Sequence, residues 1–427
     1  MKILNKLKIL NKLDNSFFEI MKEKNFLKLW GSQVLSQITV NMVNFVLILY
    51  IFEKTGSTVA ISLFWFFWAL PAIFLGPFSG TIIDLFGTRK ILILTNLVQS
   101  LIILLYLLVK TSIWPLYSIV FLYAISNQFY VPAEAATLPS VCPKKLLTTG
   151  NSLFLFTTYV ALIIGFGLAG PLIKLVGSQI PFLLGSILLI CGATAVWLLP
   201  EANFSKPLGK IDAKKVQEFL SKLAEGYRFI KTSPTVLFPL FLLVFAQIII
   251  TMLFVLGPAL VVKILGTPFI NISQNFILPG GLGAIVGMCL AVRLLKKIRK
   301  RYLITSGLFL SSFVFFSLAL IVPQFSNNLK IIGQIALGFL AGFSFSIFTI
   351  PTQTLLQEKT PIEMRGRVFG VLGFLITISS VFPVLFAATI GEILGEIWMV
   401  LILAIIVFAL GLFSLKGESV IQRFYRS

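Results

Sequence analysis

The chain has 427 residues, of which 58% are hydrophobic and only 12% charged, about half the charged share of an average soluble domain, so most of it never faces water. A net charge of +20, from 35 Lys and Arg against 15 Asp and Glu, would in a soluble protein raise nucleic acid as a partner. Histidine is absent, which excludes histidine metal sites, proton relays and general bases, and Cys142, Cys191 and Cys289 lie far apart with no paired or metal-ligand spacing.

Residues 1–28 are a Lys-rich leader. Its first part, MKILNKLKILNKL, reads either as a basic amphipathic helix lying on anionic lipid or as a positive tail held inside. The apolar run that begins near Leu29 is longer than a signal-peptide core, and no small-residue cleavage pattern follows it, so it is expected as a retained first helix. A bilayer core needs about 20 apolar residues per helix. Runs of that length occur at 29–52, 58–83, 90–109, 113–138, 149–174 and 180–199, and again at 236–263, 272–295, 302–323, 329–356, 366–391 and 396–415. That predicts an all-α membrane protein of twelve transmembrane helices. Six lie in an N-terminal half (29–199) and six in a C-terminal half (236–415), joined by a polar central loop (200–235) and followed by a tail (416–427). Pro71, Pro132, Pro171, Pro258, Pro351 and Pro383 fall inside these spans, as kinks that a bundle tolerates where neighbours re-satisfy the backbone.

With the N-terminus inside, every Lys and Arg except Lys54, Lys110, Lys174, Lys263 and Lys330 falls on the leader's side of the membrane. The positive-inside bias therefore places both termini in the cytoplasm, and the basic charge records topology, not binding to nucleic acid. The expected location is a bacterial inner (cytoplasmic) membrane. The two halves also echo each other. IPTQTLLQEKTPIEMRGRVFG parallels VPAEAATLPSVCPKKLLTTGN with Pro351 on Pro132, and Lys300-Arg301 opens the ninth helix as Arg89-Lys90 opens the third. Two pseudo-symmetric six-helix halves with a site between them is a transporter plan.

At the junction of the second and third helices the sequence reads GTIIDLFGTRK, with Gly80, Asp84, Gly87, Arg89 and Lys90. This resembles the loop signature G-x-x-x-D-x-x-G-x-R-K of the major facilitator superfamily, with the spacing fully kept. Arg365-Gly-Arg367-Val-Phe-Gly, PAEAATLPS after the fourth helix and EGYRFIKTSP before the seventh resemble the exporter branch that contains enterobactin exporters and macrolide-efflux proteins. The resemblance covers the whole chain and implies the major facilitator fold. A carboxylate at a membrane edge needs a cation or a helix N-terminus. Asp84 is accordingly expected to face the N-terminal end of the eleventh helix, and Arg89 to sit between Asp84 and Glu134, in the acid position that completes such a relay in related transporters. These groups, with Arg365 and Arg367, form a latch that breaks when the cytoplasmic side opens. Gly80 is expected to allow close packing and Gly87 a tight turn. By the repeat, Leu295 stands in the place of Asp84, so the latch is one-sided.

Gln33, Gln37, Asn41 and Asn44 recur at steps of four, four and three, which puts them on one face of the first helix. Tyr123, Asn127, Tyr130 and Glu134 form a similar face on the fourth, and the seventh offers Gln247 and Thr251. The resemblance makes the first, fourth, seventh and tenth helices the lining of a substrate cavity, while hydrogen bonding between helices stays open as the other use of these groups. Phe64, Trp65, Phe66, Phe67 and Trp68 point all round the second helix, so packing and interfacial anchoring are expected of them. GFGLAGPL in the fifth helix (Gly165, Gly167, Gly170, Pro171) looks like a partial exporter signature, in which Leu172 and Ile173 stand where a further glycine pair is absent. Acids are few, and Glu134 is the candidate for coupling to a proton gradient. The function expected is secondary active export of a small drug-like or siderophore-like molecule, by proton-coupled antiport in a monomer surrounded by lipid. No cofactor, metal or nucleotide-binding loop is called for. A lysophospholipid flippase and a transport-dead membrane sensor are the alternatives. A membrane enzyme would need clustered acids or an activated nucleophile that the sequence lacks.

Overall fold

A computed structural model describes residues 16–109, 112–201, 213–379 and 381–424; the stretch expected as an amphipathic leader, residues 1–13, lies outside them. Every regular element among the described residues is helical. In hydrocarbon a backbone N–H or C=O has no water to bond, and a helix satisfies all but its terminal groups within one segment.

The first six crossings are α1 (Lys24–Thr55), α2 (Thr58–Phe86), α3 (Thr88–Leu105), α4 (Trp114–Val141), α5 (Leu147–Val176) and α6 (Ile180–Trp197). After α7 (Ala213–Thr232) come α8 (Pro234–Ala259), α9 (Leu278–Leu294), α10 (Lys300–Phe316), α11 (Asn327–Lys359), α12 (Ile362–Ser379), α13 (Phe382–Leu394) and α14 (Glu396–Phe424). Among the described residues, ten segments are long and apolar enough to cross a membrane. The other two crossings are the fourth, where polar side chains interrupt α4, and the eleventh, which is described as two helices, α12 and α13. That break falls just before Pro383, a residue with no backbone N–H to bond the preceding turn. Pro132, Pro171, Pro258 and Pro351 stand inside continuous helices.

The polar stretch expected as a central loop is, in its second half, the helix α7. Its sequence explains this: Val216, Phe219, Leu220, Leu223, Tyr227 and Ile230 recur at helical spacing among Lys and Glu, the pattern of a helix with one apolar stripe. Ile230 is buried, and with Leu223 and Phe229 it packs on Val236, Leu240, Leu356, Val368, Val371 and Leu372.

The chain forms two compact units, Met1–Val46 with Leu70–Val216 and Leu47–Ala69 with Gln217–Ser427. The tip of the α1–α2 hairpin thus belongs with the second unit. In the first unit, α3 packs on α4 and α6, and a core joins Ile20, Phe26 and Leu29 to Leu92, Tyr130, Ala133 and Val196. In the second, α9 and α11 make the most extensive pairing. A Cβ on Gly342 would fall on the carbonyl oxygen of Gly280, and one on Gly283 on that of Phe339. Backbone cannot yield as a flexible side chain can, so Gly342→Ala is expected to prevent stable folding, overpacking alone typically costing about 1–3 kcal/mol. A Cβ on Gly31 in α1 meets nothing within 4 Å, and Gly31→Ala should leave stability equal or raised by up to about 1 kcal/mol. Size-exclusion profiles and thermal denaturation in detergent decide this; equal melting temperatures for the two variants would refute the packing assignment.

Candidate functional site

The signature loop is the short link between α2 and α3. Gly87 has φ +84°, a conformation that L side chains avoid, and its N–H bonds the carbonyl of Ile83 at 2.8 Å to close α2. The tight turn expected at Gly87 is present. Gly80 differs: a Cβ there would meet nothing within 4 Å, because the position lies on an open face, so the close packing expected of it is not made. The side chain of Asp84 lies outside the described residues. Arg89, in the first turn of α3, donates from Nη1 to Glu201 Oε1 at 2.6 Å and from Nη2 to the carbonyl of Trp197. A guanidinium at the carbonyl end of α6 is favoured by that helix's dipole. The loop therefore ties the start of α3 to the end of α6. Arg89 takes Glu201 as its acid, not Glu134; the two acids share one side of the membrane in the sequence, and only Glu201 stands beside the end of α6. Lys90 is exposed.

Glu134 is instead inside the unit, 6% exposed. Tyr130, one turn earlier on α4 and 1% exposed, donates its hydroxyl to Glu134 Oε1 at 2.9 Å. Ser32 and Ser36 on α1, both buried, lie close enough to act on the phenol oxygen. A hydrogen-bonded carboxyl–phenol pair on α4 thus stands beside two aliphatic hydroxyls of α1.

The four amides of α1 divide their work. Gln33 is buried and donates to the carbonyl of Phe154 on α5 at 3.1 Å, while Trp30 donates to Thr157 on the same helix at 2.7 Å. Asn41 bonds back to the carbonyl of Gln37 at 2.7 Å, and both are half-buried; Asn44 is buried. Around Asn41, α1 and α5 nearly touch, since a Cβ on Gly165 would lie 2.5 Å from that of Asn41. This gives the glycines of GFGLAGPL a packing role at one position. On α4, Tyr123 is buried and Asn127 half-buried. On α8, Thr251 is buried and donates to the carbonyl of Gln247 at 2.9 Å. Within the first unit the structure brings Tyr130, the partner of Glu134, near Ser32 and Ser36, which stand one residue before Gln33 and Gln37 and share their spacing of four. That spacing was the available signal for them, masked by the larger amides beside it.

In the second unit Arg367 pairs with Glu225 of α7 at 2.7 Å, and Arg365 donates from Nε to the carbonyl of Thr360 at 3.3 Å. The two arginines therefore hold the start of α12 to α7 and to the end of α11. Of the aromatic run, Phe64 is fully buried and Trp65 packs on Phe254, as expected of packing residues. A group that sequence reasoning passed over is Glu392, on α13. Its Oε1 accepts from the Ser57 hydroxyl at 2.5 Å, the Val59 amide at 3.1 Å and the Thr58 hydroxyl at 3.4 Å. The first turn of α2 has no acid of its own, and Glu392 supplies the charge and acceptor that an N-cap residue would give. Glu392→Ala should therefore cost about 1 kcal/mol and speed deuterium uptake at the Val59 amide. Unchanged protection of that amide by exchange mass spectrometry would refute the capping role.

Comparison with known proteins agrees with this architecture. A sequence profile of the Major Facilitator Superfamily matches residues 29–384. The chain is 25% identical over 411 residues to the uncharacterised MFS-type transporter YfiS of Bacillus subtilis, covering 94% of each chain. It is 23% identical over 381 residues to macrolide efflux protein A of Streptococcus pyogenes, covering 87% of this chain and 90% of the relative. Among solved structures, the nucleoside transporter NupG is similar at a TM-score of 0.70 and 12% identity, over 92% of this chain and 98% of that one.

Proposed function

As the chain belongs to the Major Facilitator Superfamily, we propose that it is a secondary active exporter of a small drug-like or siderophore-like molecule, working by alternating access and proton-coupled antiport. Membrane transport itself follows from the family and from its transporter relatives. Outward direction is supported by the likeness to macrolide efflux protein A along most of both chains and by the partial glycine signature of α5. Both termini are assigned to the cytoplasm from the distribution of Lys and Arg.

The observation that carries the coupling is the buried Glu134–Tyr130 pair. In a transporter a buried carboxyl exchanges its proton only in conformations that admit water, which is the requirement for linking proton movement to a change of access. Glu134 lies on α4, whose polar face with Tyr123 and Asn127 is assigned to the substrate path together with Gln37, Asn41, Asn44, Gln247 and Thr251. In this reading the Asp84–Arg89 loop is the cytoplasmic latch. Arg89 exchanges between Glu201, its partner in this structure, and Asp84 as access changes.

Accumulation of macrolides, cationic dyes, catecholate siderophores and labelled lysophospholipid in efflux-deficient bacteria, with and without the chain, tests export directly. Lower accumulation of one class, reversed when the proton gradient is collapsed, is the expected result; movement of labelled lysophospholipid alone would establish the flippase instead. Glu134→Gln should lower gradient-driven transport of the responding compound by about 100-fold or more, a typical share for a positioned proton-transfer group. Asp84→Asn should impair transport while leaving membrane insertion normal. Full gradient-driven transport by the first variant removes Glu134 from the coupling, and full transport by the second removes the latch.

A further inference from the structure

Behind the Glu134–Tyr130 pair, the first unit contains a seam of polar groups where α1, α3 and α6 meet. On α1, Ser32, Ser36 and Thr39 lie on one face at steps of four and three, all buried. On α3, Thr95, Asn96, Gln99 and Ser100 are buried. On α6, Ser186 is buried between two points of close approach: a Cβ on Gly192 would lie 3.2 Å from Ser32 Oγ, and one on Gly185 2.9 Å from Thr39 Cγ2. Asn96 donates to Ser32 at 3.3 Å, and Ser100 and Ser186 share a hydrogen bond of 2.8 Å.

The seam is not closed by these bonds. Gln99 is fully buried, yet neither its Oε1 nor its Nε2 has a partner in the protein; Asn96 Oδ1 and Thr39 Oγ1, also fully buried, have none either. Native proteins seldom leave such atoms unpaired, and a cluster of them signals bound water or an ion. A cation would satisfy the oxygens and leave the Nε2 donor of Gln99 stranded, whereas water accepts as well as donates. The span from Ser32 to Thr39 is about 10 Å along α1 at 1.5 Å per residue, about the length of a short chain of hydrogen-bonded waters. Ser32 and Ser36 of the seam stand beside Tyr130, which donates to Glu134.

We propose that this seam holds a chain of ordered water molecules that carries protons to and from Glu134 through the interior of the first unit. The reading rests on Glu134 as the coupling group. In the inward step, Glu134 takes the Tyr130 hydroxyl proton, and the Tyr130 oxygen regains one from Ser32 or Ser36. That serine regains one from the adjacent water, and the water from the next along the chain, so one proton enters and one is held. Gln99 and Asn96 do not transfer protons; their amides are positioning groups that fix the waters. The side chain meeting Glu134 directly is Tyr130, and what the seam adds from α1 and α3 is neutral. The described ion pairs of the first unit, Arg89–Glu201 and Lys145–Glu19, do not involve Glu134.

The test needs no transported compound. Infrared difference spectra of the purified full-length protein after a pH jump report the carboxylic C=O band of Glu134, assigned by its loss in Glu134→Gln. In Gln99→Leu, which removes both unpartnered atoms at similar volume, and in Thr39→Val, which removes one hydroxyl isosterically, that band should appear at least about ten-fold more slowly than in the parent protein. Its midpoint pH should be unchanged. A purely structural role would alter the melting temperature and leave the rate as it was. Should Gln99→Leu fail to fold, Thr39→Val carries the same prediction with almost no change of shape. Parent-like rates in either folded variant overturn the water chain while leaving Glu134 as the coupling group; a band that survives Glu134→Gln overturns both.

Discussion

A polar group inside a lipid-embedded protein has no bulk water to fall back on, and the rest of this structure follows from how each one is met. The backbone meets the constraint by being helical. The side chains meet it pair by pair: Gln33 on a backbone carbonyl of α5, Trp30 on Thr157, Ser100 on Ser186, Thr305 on Ser414. Most of these are helix-to-helix bonds of modest strength, and they use up residues that composition alone would assign to a cavity. The Glu134–Tyr130 pair and the orphaned amide of Gln99 are among the groups that such helix-to-helix bonds do not absorb.

Charge is distributed by the same logic. Arg89–Glu201, Lys145–Glu19, Arg367–Glu225, Lys300–Glu358 and Lys263–Glu396 all join residues near the ends of helices or in the links between them. Exposed pairs of this kind are worth at most about 1 kcal/mol each, so they orient helix ends without committing them. Such ties can be exchanged cheaply, while the interior of the second unit is held by close contacts such as Gly342 on Gly280.

The order and extent of the helices were legible because a bilayer-length apolar run has few other uses, and the loop signature because its glycine and charges are fixed by turn geometry. Three things were not legible. The helix α7 hid in a stretch whose polar composition reads as loop, although its stripe from Val216 to Ile230 was there to be counted. The partner of Arg89 is 112 positions away, and sequence gives the side of the membrane on which an acid lies, not which helix end it stands beside. On α1, Ser32 and Ser36 follow the same period as Gln33 and Gln37, and periodicity cannot say which of two adjacent polar stripes meets α4.

The cap on α2 has a further consequence, for the order in which the protein is made. The acceptor that completes the first turn of α2 arrives 335 residues after Ser57, so during synthesis that end of the hairpin stays without its counter-charge until nearly the whole chain has emerged. Domains otherwise tend to fold from the N-terminus onwards as they are translated. Here the second crossing to be inserted is among the last to be locked, and truncation anywhere before α13 leaves its beginning unfinished.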